Sequence, residues 1–162
     1  MRFASFDELR AHVGQEIGLS DWLLITQEQV NQFAEVTIDP DWMHIDVERA
    51  KNGPVGETIA QGFLTLSLLM HFTHQAAYLP KDLEYAFNYG LDRVRWISPV
   101  KVGKRIRNRM FLKAVTPKGR GRYLMTVLNT VEIENEERPA MVALWLGLLQ
   151  TSSGQAGSSR WP

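Results

Sequence analysis

Apolar and polar residues alternate through the second half of the chain, and this alternation predicts long β-strands. At residues 105–115 one face is apolar and the other is mostly arginine and lysine. The apolar positions of this run are Ile106, Met110, Leu112 and Ala114. Further runs at residues 84–96, 123–134 and 140–150 are separated by short turns without an intervening helix, which predicts an antiparallel meander. The last run is apolar on both faces, as expected for a strand that is central or covered on both sides.

The most apolar stretch of the chain, TIAQGFLTLSLLMHFTHQAAYLP, predicts a buried helix. It is apolar on nearly every face from Phe63 to Met70, and Pro80 ends it. Shorter helices are expected after Ser5 and after Thr26, because each can serve as an N-cap. The second of these, QEQVNQFAEVT, has apolar residues at helical spacing: Val30, Phe33, Ala34 and Val36. A long antiparallel sheet against a buried helix makes the fold class α+β.

Composition narrows the class of protein further. The chain has 162 residues, which is long enough to bury a core without a disulfide. It has no cysteine, which fits a reducing, cytoplasmic location. Eighteen basic residues balance 18 acidic ones, which favours neither nucleic acid nor an anionic membrane as a partner. Neither a signal peptide nor a membrane span is predicted. We expect one domain over residues 1–150 and a flexible Ser/Gly-rich tail over residues 151–162.

The segment TIDPDWMHID concentrates candidate chemistry in ten residues. Asp39 and His44 stand on either side of a turn stiffened by Pro40, and an imidazole and a carboxylate that converge there can share one water. Apolar neighbours such as Trp42 and Met43 would keep that water out of bulk solvent. On spacing alone the alternative stays open that Asp39 is a turn residue and His44 a surface histidine.

Gly62, at the start of the apolar helix, is a second candidate. A glycine there offers an unobstructed backbone N–H to an oxygen that gains negative charge, although tight helix packing explains the same residue. His71 and His74 are three residues apart, but no third ligand is spaced for zinc, so no metal site is expected.

The run FAEVTIDPDWMHIDVERAKNGPVGETIAQGFLTLSLL, followed by NYGLDRVRWISPVKVGKRIR, resembles the MaoC-like dehydratases, especially their nodulation-protein-N-like branch. The resemblance covers about residues 20–150. It implies a hot-dog fold, in which a long sheet wraps a central helix, and a homodimer. It also implies (R)-specific enoyl-CoA hydratase activity in fatty acid metabolism, without a metal or redox cofactor.

The resemblance places the catalytic pair on Asp39 and His44 and the donor to the thioester carbonyl on the backbone of Gly62. Further residues are expected beside the substrate, and these are Gln61, Trp42, Asn88, Tyr89 and Gly90. Gln61 replaces a histidine found in many relatives, and Asp41 replaces an asparagine. The trio at Asn88 has an alternative interpretation as a bulged strand, because glycine within a strand commonly marks a bulge.

Two rival functions remain open at this level. A hot-dog thioesterase would act on the same class of acyl-CoA or acyl carrier protein thioester. A non-catalytic thioester-binding subunit would keep the site without the reaction, although a binder needs no acid/base couple.

Overall fold

A long antiparallel sheet forms the body of the molecule. The computed structural model describes residues 3–76 and 78–152. Within that part of the chain the strands are β1 (Glu16–Leu19), β2 (Leu23–Leu24), β3 (Leu83–Trp96), β4 (Arg105–Gly119), β5 (Arg122–Ile133) and β6 (Met141–Thr151). Their order across the sheet is β1-β4-β5-β6-β3, and β2 also pairs with β4. The sheet therefore ends at β3 on one side.

The predicted meander is confirmed for β4, β5 and β6 and is wrong for β3. Ile106 pairs with Ile133, and Val131 pairs with Met141, so these three strands follow one another directly. β3 instead pairs with β6, where Trp96 stands opposite Met141. β6 therefore has β5 on one edge and β3 on the other, so its backbone N–H and C=O groups are paired on both edges. The prediction that the last strand is central is confirmed.

Two of the helices in the described residues, α1 and α2, begin where their capping residues predict. They are α1 (Phe6–Arg10), α2 (Gln27–Thr37), α3 (Trp42–Ile45), α4 (Val47–Lys51), α5 (Gly62–Ser67) and α6 (Leu69–Ala76). Ser5 caps α1, and Thr26 forms a capping box with Gln29 at the start of α2. Val36 departs from the prediction, because it is 77% exposed instead of facing the core.

The central apolar segment is two helices, not one. α5 ends at Ser67 and α6 begins at Leu69, with Leu68 at the break. One side packs in the core through Leu64, Leu69 and Phe72. The opposite side carries Phe63, which is 65% exposed. The prediction that these helices are buried on nearly every face is therefore wrong for the isolated chain.

The core lies between these helices and the inner face of the sheet. Ile106, Met110 and Leu112 of β4 are fully buried, as their alternation predicts, beside Val127 and Val131 of β5. Burying a side chain of this size stabilises the fold by about 1.5–3 kcal/mol.

The ends of the chain are only partly described. β6 continues to Thr151, so this residue belongs to the sheet and not to the predicted tail. Residues 153–162 of that tail lie outside the described residues. In the part of the chain that is described, no helix has the length and apolar character needed to cross a membrane.

Candidate active site

The end of α2 delivers Asp39 to the surface. Ile38 terminates the helix in the left-handed conformation, with φ 57° and ψ 41°. The backbone N–H of Asp39 then donates to the carbonyl of Ala34 at 2.9 Å. This bond spans the helix end in the manner of a Schellman motif. The reversal leaves Asp39 exposed directly after the helix.

A one-turn helix, α3, carries His44 where the sequence suggested only a loop. Asp41 starts it, because its carboxylate accepts a hydrogen bond from the N–H of Met43 at 2.9 Å. The second carboxylate of the segment is thereby engaged as a helix cap. His44 is the third residue of α3 and is half-buried.

One hydrogen bond fixes the chemistry of the His44 ring. Its Nδ1 lies 2.7 Å from the carbonyl oxygen of Ile59. A carbonyl oxygen can only accept, so Nδ1 carries the proton and donates it to that bond. In the neutral imidazole Nε2 therefore holds the lone pair and is the atom able to take a proton.

Gly62 is held by an indole. The Nε1 of Trp96 donates to the carbonyl of Gly62 at 2.8 Å. A Cβ at position 62 would lie 2.7 Å from that same nitrogen, so only glycine fits without displacing Trp96. The tight-packing interpretation of this glycine is confirmed. Its own N–H donates to no backbone or side-chain acceptor within residues 3–76 and 78–152, which is compatible with a role as a donor to substrate.

Gln61 lies beneath the site instead of at its surface. It is 3% exposed, and its Nε2 donates to the carbonyl of Val30 at 3.2 Å. That bond ties the start of α5 to the first half of α2. A contact between Gln61 and substrate stays a prediction.

Trp42 packs on its own segment. The guanidinium of Arg49 lies 4.4 Å from the ring centroid, and a Cβ on Gly53 would meet the ring at 3.1 Å. This packing anchors α3 to α4 and the loop beyond it. Contact between Trp42 and substrate also stays a prediction.

The trio Asn88, Tyr89 and Gly90 lies within β3. The pairing register shifts between Asn88 and Gly90, so the interpretation as a bulged strand is confirmed. Asn88 also lines a cavity, whereas Tyr89 is exposed. Binding of substrate by the trio stays a prediction.

The cavity beside Asn88 has a volume of about 150 Å³. Its wall is mainly apolar and includes Met70, Thr73, Tyr78, Met125, Trp145 and Leu149. Burial raises the pKa of Tyr78 to about 12, although a hydrogen bond with Thr73 works in the opposite direction. Tyr78 is therefore neutral at physiological pH, and it adds no charge to the cavity. Tyr78 and Trp145 could not be recognised as lining residues from the sequence, because only tertiary packing brings Tyr78 beside β5 and β6.

No three histidine, cysteine, aspartate or glutamate side chains within the described residues are grouped so that they could hold a metal ion.

Comparison with known proteins places the chain in a family. A model of the MaoC like domain matches residues 8–135. The chain belongs to the MaoC-like dehydratase family. This MaoC-like chain is 48% identical over 141 residues to 3-hydroxyacyl-thioester dehydratase Z of Mycobacterium tuberculosis strain H37Rv, a match covering 87% of this chain and 93% of that protein. It is 41% identical over 151 residues to nodulation protein N of Rhizobium leguminosarum bv. viciae, covering 93% and 94% of the two chains.

Solved structures show the same fold for this MaoC-like chain. The unliganded R-hydratase PhaJ1 of Pseudomonas aeruginosa superposes with a TM-score of 0.71 at 18% identity, covering 99% of this chain and 94% of that one. The hot-dog fold expected from the sequence is thereby confirmed.

Proposed function

We propose that the protein is a hydratase or dehydratase of acyl thioesters, adding water to a trans-2-enoyl thioester or removing it from a 3-hydroxyacyl thioester. The observation that carries the proposal is the 2.7 Å bond between Nδ1 of His44 and the Ile59 carbonyl, which leaves Nε2 as the base. Membership of the MaoC-like family and the 48% identity to 3-hydroxyacyl-thioester dehydratase Z support the same reaction.

In the proposed hydration, Nε2 of His44 takes a proton from a water that the carboxylate of Asp39 also holds. The water oxygen forms a bond to C3, and the electrons of the double bond move to the thioester oxygen. The N–H of Gly62 stabilises the negative charge that gathers there. As the enolate collapses, the proton that Nε2 of His44 took from water is returned to C2 on the same face, which restores the neutral imidazole. The product is the (R)-3-hydroxyacyl thioester, and because water adds without net oxidation or reduction, the step needs no redox cofactor.

The apolar cavity next to α6 supports an acyl substrate. Met70, Thr73 and Tyr78 supply part of its wall. These side chains follow Gly62 along the chain, with Met70 and Thr73 on the helix directly after the one that Gly62 begins. Gly62 does not itself line the cavity, so in the proposed complex a thioester carbonyl at Gly62 has its hydrocarbon tail running along α5 to reach it. The thiol carrier, coenzyme A or acyl carrier protein, would stay outside.

Loss of either member of the catalytic pair tests the proposal. We expect Asp39→Asn and His44→Ala each to lower turnover of crotonyl-CoA by about 10²–10⁴-fold, the usual contribution of a positioned acid or base. Loss of enoyl absorbance gives the rate, and thermal unfolding shows that each variant is folded. More than a tenth of the wild-type activity in either variant contradicts the assignment.

The same assay distinguishes the rival functions. A thioesterase releases a free thiol, which a thiol-reactive dye detects, whereas a hydratase bleaches the enoyl absorbance without releasing thiol. A non-catalytic binder does neither. Chiral analysis of the product tests the (R) configuration.

We also propose a homodimer joined through β3. This strand is at the edge of the sheet, and it carries exposed apolar side chains at Tyr85, Tyr89, Leu91 and Trp96. Long exposed edge strands of this kind invite pairing with another chain. The exposed Phe63 packs against Trp96 with ring centroids 5.4 Å apart, so the same surface reaches the start of α5. A second copy would cover both.

A further inference from the structure

The side chain of Gln27, the first residue of α2, joins three parts of the chain near His44. Its Nε2 donates to the backbone carbonyl of His44 at 2.7 Å and to Oδ1 of Asn31 at 2.8 Å. Its Oε1 accepts a hydrogen bond from the hydroxyl of Thr58 at 2.5 Å. Both N–H groups and the carbonyl of this one amide are therefore engaged.

Thr58 belongs to a short segment, residues 58–60, that holds α3 from the other side. The N–H of Ile59 donates to the carbonyl of Met43 at 3.0 Å, and the carbonyl of Ile59 accepts the hydrogen bond from Nδ1 of His44. This segment is itself held by the chain before β4. Ala60 donates to Val100 at 2.8 Å, and Val102 donates to Thr58 at 2.9 Å.

Packing contributes little to the position of the His44 ring itself, because α3 has only four residues and none of them is buried, and the packing of Trp42 joins α3 to α4 on another side. A one-turn helix without a buried side chain has little intrinsic stability. Hydrogen bonds from its surroundings must therefore hold the His44 ring. The hydrogen bond that Nδ1 of His44 donates to Ile59 fixes the ring, and the hydrogen bond that Gln27 donates to the His44 carbonyl fixes the backbone to which the ring is attached.

We propose that Gln27 and Thr58 are positioning residues for His44, with Thr58 orienting the amide of Gln27 and Gln27 holding the His44 backbone. The inference rests on the proposed hydration, in which Nε2 of His44 takes the proton from water. Neither residue touches the reacting atoms in this scheme. Their contribution is to keep Nε2 aimed at one place.

Substitution of Gln27 by methionine tests the positioning. Methionine keeps the length and helix propensity of glutamine but has no amide. We expect Gln27→Met to lower kcat by about 10–100-fold, since a misplacement of about 1 Å can cost 10²-fold in rate. KM should stay within about twofold, because the acyl cavity and the N–H of Gly62 are untouched.

Gln32→Met is the matched control, since Gln32 lies on the same helix and bonds only to Glu28 among the described residues. It should behave as the wild type.

A pair of substitutions at Thr58 separates the hydroxyl from general packing. Thr58→Val removes the donor to Gln27 while keeping the shape, and we expect kcat to fall about tenfold or more. Thr58→Ser keeps the hydroxyl and should recover at least half of the wild-type kcat. Because both residues act through one chain of bonds, the double variant Gln27→Met/Thr58→Val should be no slower than Gln27→Met alone. Additive losses, or a serine variant as slow as the valine variant, would overturn the inference.

The orientation of the ring can be read without any substrate. The chain has four histidines, so ¹⁵N-labelled histidine gives few ring signals, and replacement of His44 assigns its own. In the wild type and in Gln32→Met, the neutral His44 ring should carry its proton on Nδ1 alone. In Gln27→Met we expect a mixture of both tautomers. A slow variant with an unchanged ring signal, or a changed signal with unchanged kcat, would contradict the positioning role.

The two proposals fail in different ways. A wild-type protein that hydrates no enoyl thioester would refute the proposed function, while the ring signals still decide whether Gln27 orients His44. A wild type that is active, beside a Gln27→Met variant that is equally active, would refute only the positioning.

Discussion

Ile38 adopts a backbone conformation that β-branched residues rarely tolerate. Its φ is 57°, and its side chain is 87% exposed, so side-chain packing offsets little of the strain energy. Strain of this kind costs of order 1–3 kcal/mol and persists where the surroundings impose it. Here the hydrogen bond from the N–H of Asp39 to the carbonyl of Ala34 imposes the strained conformation. The same bond holds the backbone of Asp39, the proposed catalytic carboxylate, at the end of α2.

Relief of this strain should be measurable as stability. We expect Ile38→Gly to raise the free energy of unfolding by about 1 kcal/mol, because glycine adopts the left-handed conformation freely. The control is Val36→Gly, which lies within α2 and is also well exposed. It should lower stability by about 0.5 kcal/mol through reduced helix propensity. Urea unfolding measures both variants, and a change of the same sign in the two would contradict the strain at Ile38.

The sequence indicated those residues of the proposed site whose signal is local. Asp39 and His44 are five positions apart, so their spacing can be read directly, as can the caps at Ser5 and Thr26. Gln27 and Thr58 escaped notice because their bond spans 31 positions of the chain. Trp96 was missed for the same reason, since it meets Gly62 across 34 positions. Contacts of that kind follow from tertiary packing and leave no periodic trace.

On the outer face of the sheet, a chain of ion pairs links three strands. Glu132 of β5 accepts hydrogen bonds from Arg107 and Arg109 of β4 at 2.7 and 2.8 Å. Arg109 continues to Glu16 of β1 at 2.6 Å. Burial works to raise the pKa of Glu132, but the two guanidinium groups together outweigh it and hold that pKa below its ordinary value of 4.5.

A carboxylate with a lowered pKa stabilises the fold only while it is ionised. The contribution of Glu132 is therefore complete above about pH 4.5 and is lost as the pH falls through the lowered pKa. We expect Glu132→Gln to cost about 1 kcal/mol at pH 7 and less at acid pH. Urea unfolding across a pH series tests this. In Glu134→Gln, where the pair with Arg105 is 3.8 Å apart, the loss at pH 7 should be smaller. A constant loss for Glu132→Gln at every pH would contradict the assignment.

At the level of elements, the alternation of apolar and polar residues predicted where strands form but not which strands pair. The period of two along β4 located its buried face correctly as far as Leu112. A register shift between Leu112 and Ala114 then buries Val115 in place of the predicted Ala114. The position of β3 beside β6 was not predicted, since its own exposed residues do not reveal which edge it joins. The break at Leu68 was also missed, because apolar residues continue through it without a proline or glycine.

For the whole molecule, the exposed apolar surface along β3 is the feature that one chain leaves unpartnered. We expect the double variant Tyr85→Arg/Leu91→Arg to convert a dimer into a monomer, because four arginines would then face one another across the interface. Light scattering after gel filtration would show the mass fall from two chains to one. Val36→Arg, on an exposed position of α2, is the control and should remain dimeric. A wild-type mass of one chain would refute the homodimer.

Because the central helix is interrupted at Leu68, Gly62 and the helical part of the cavity wall belong to separate helices. α5 begins at Gly62, whereas Met70 and Thr73 of the cavity wall belong to α6. If the cavity holds the acyl chain as proposed, exchanges on α6 resize it without shifting Gly62. Evolution, or an engineer seeking longer or shorter substrates, can vary one module and leave the other as it is.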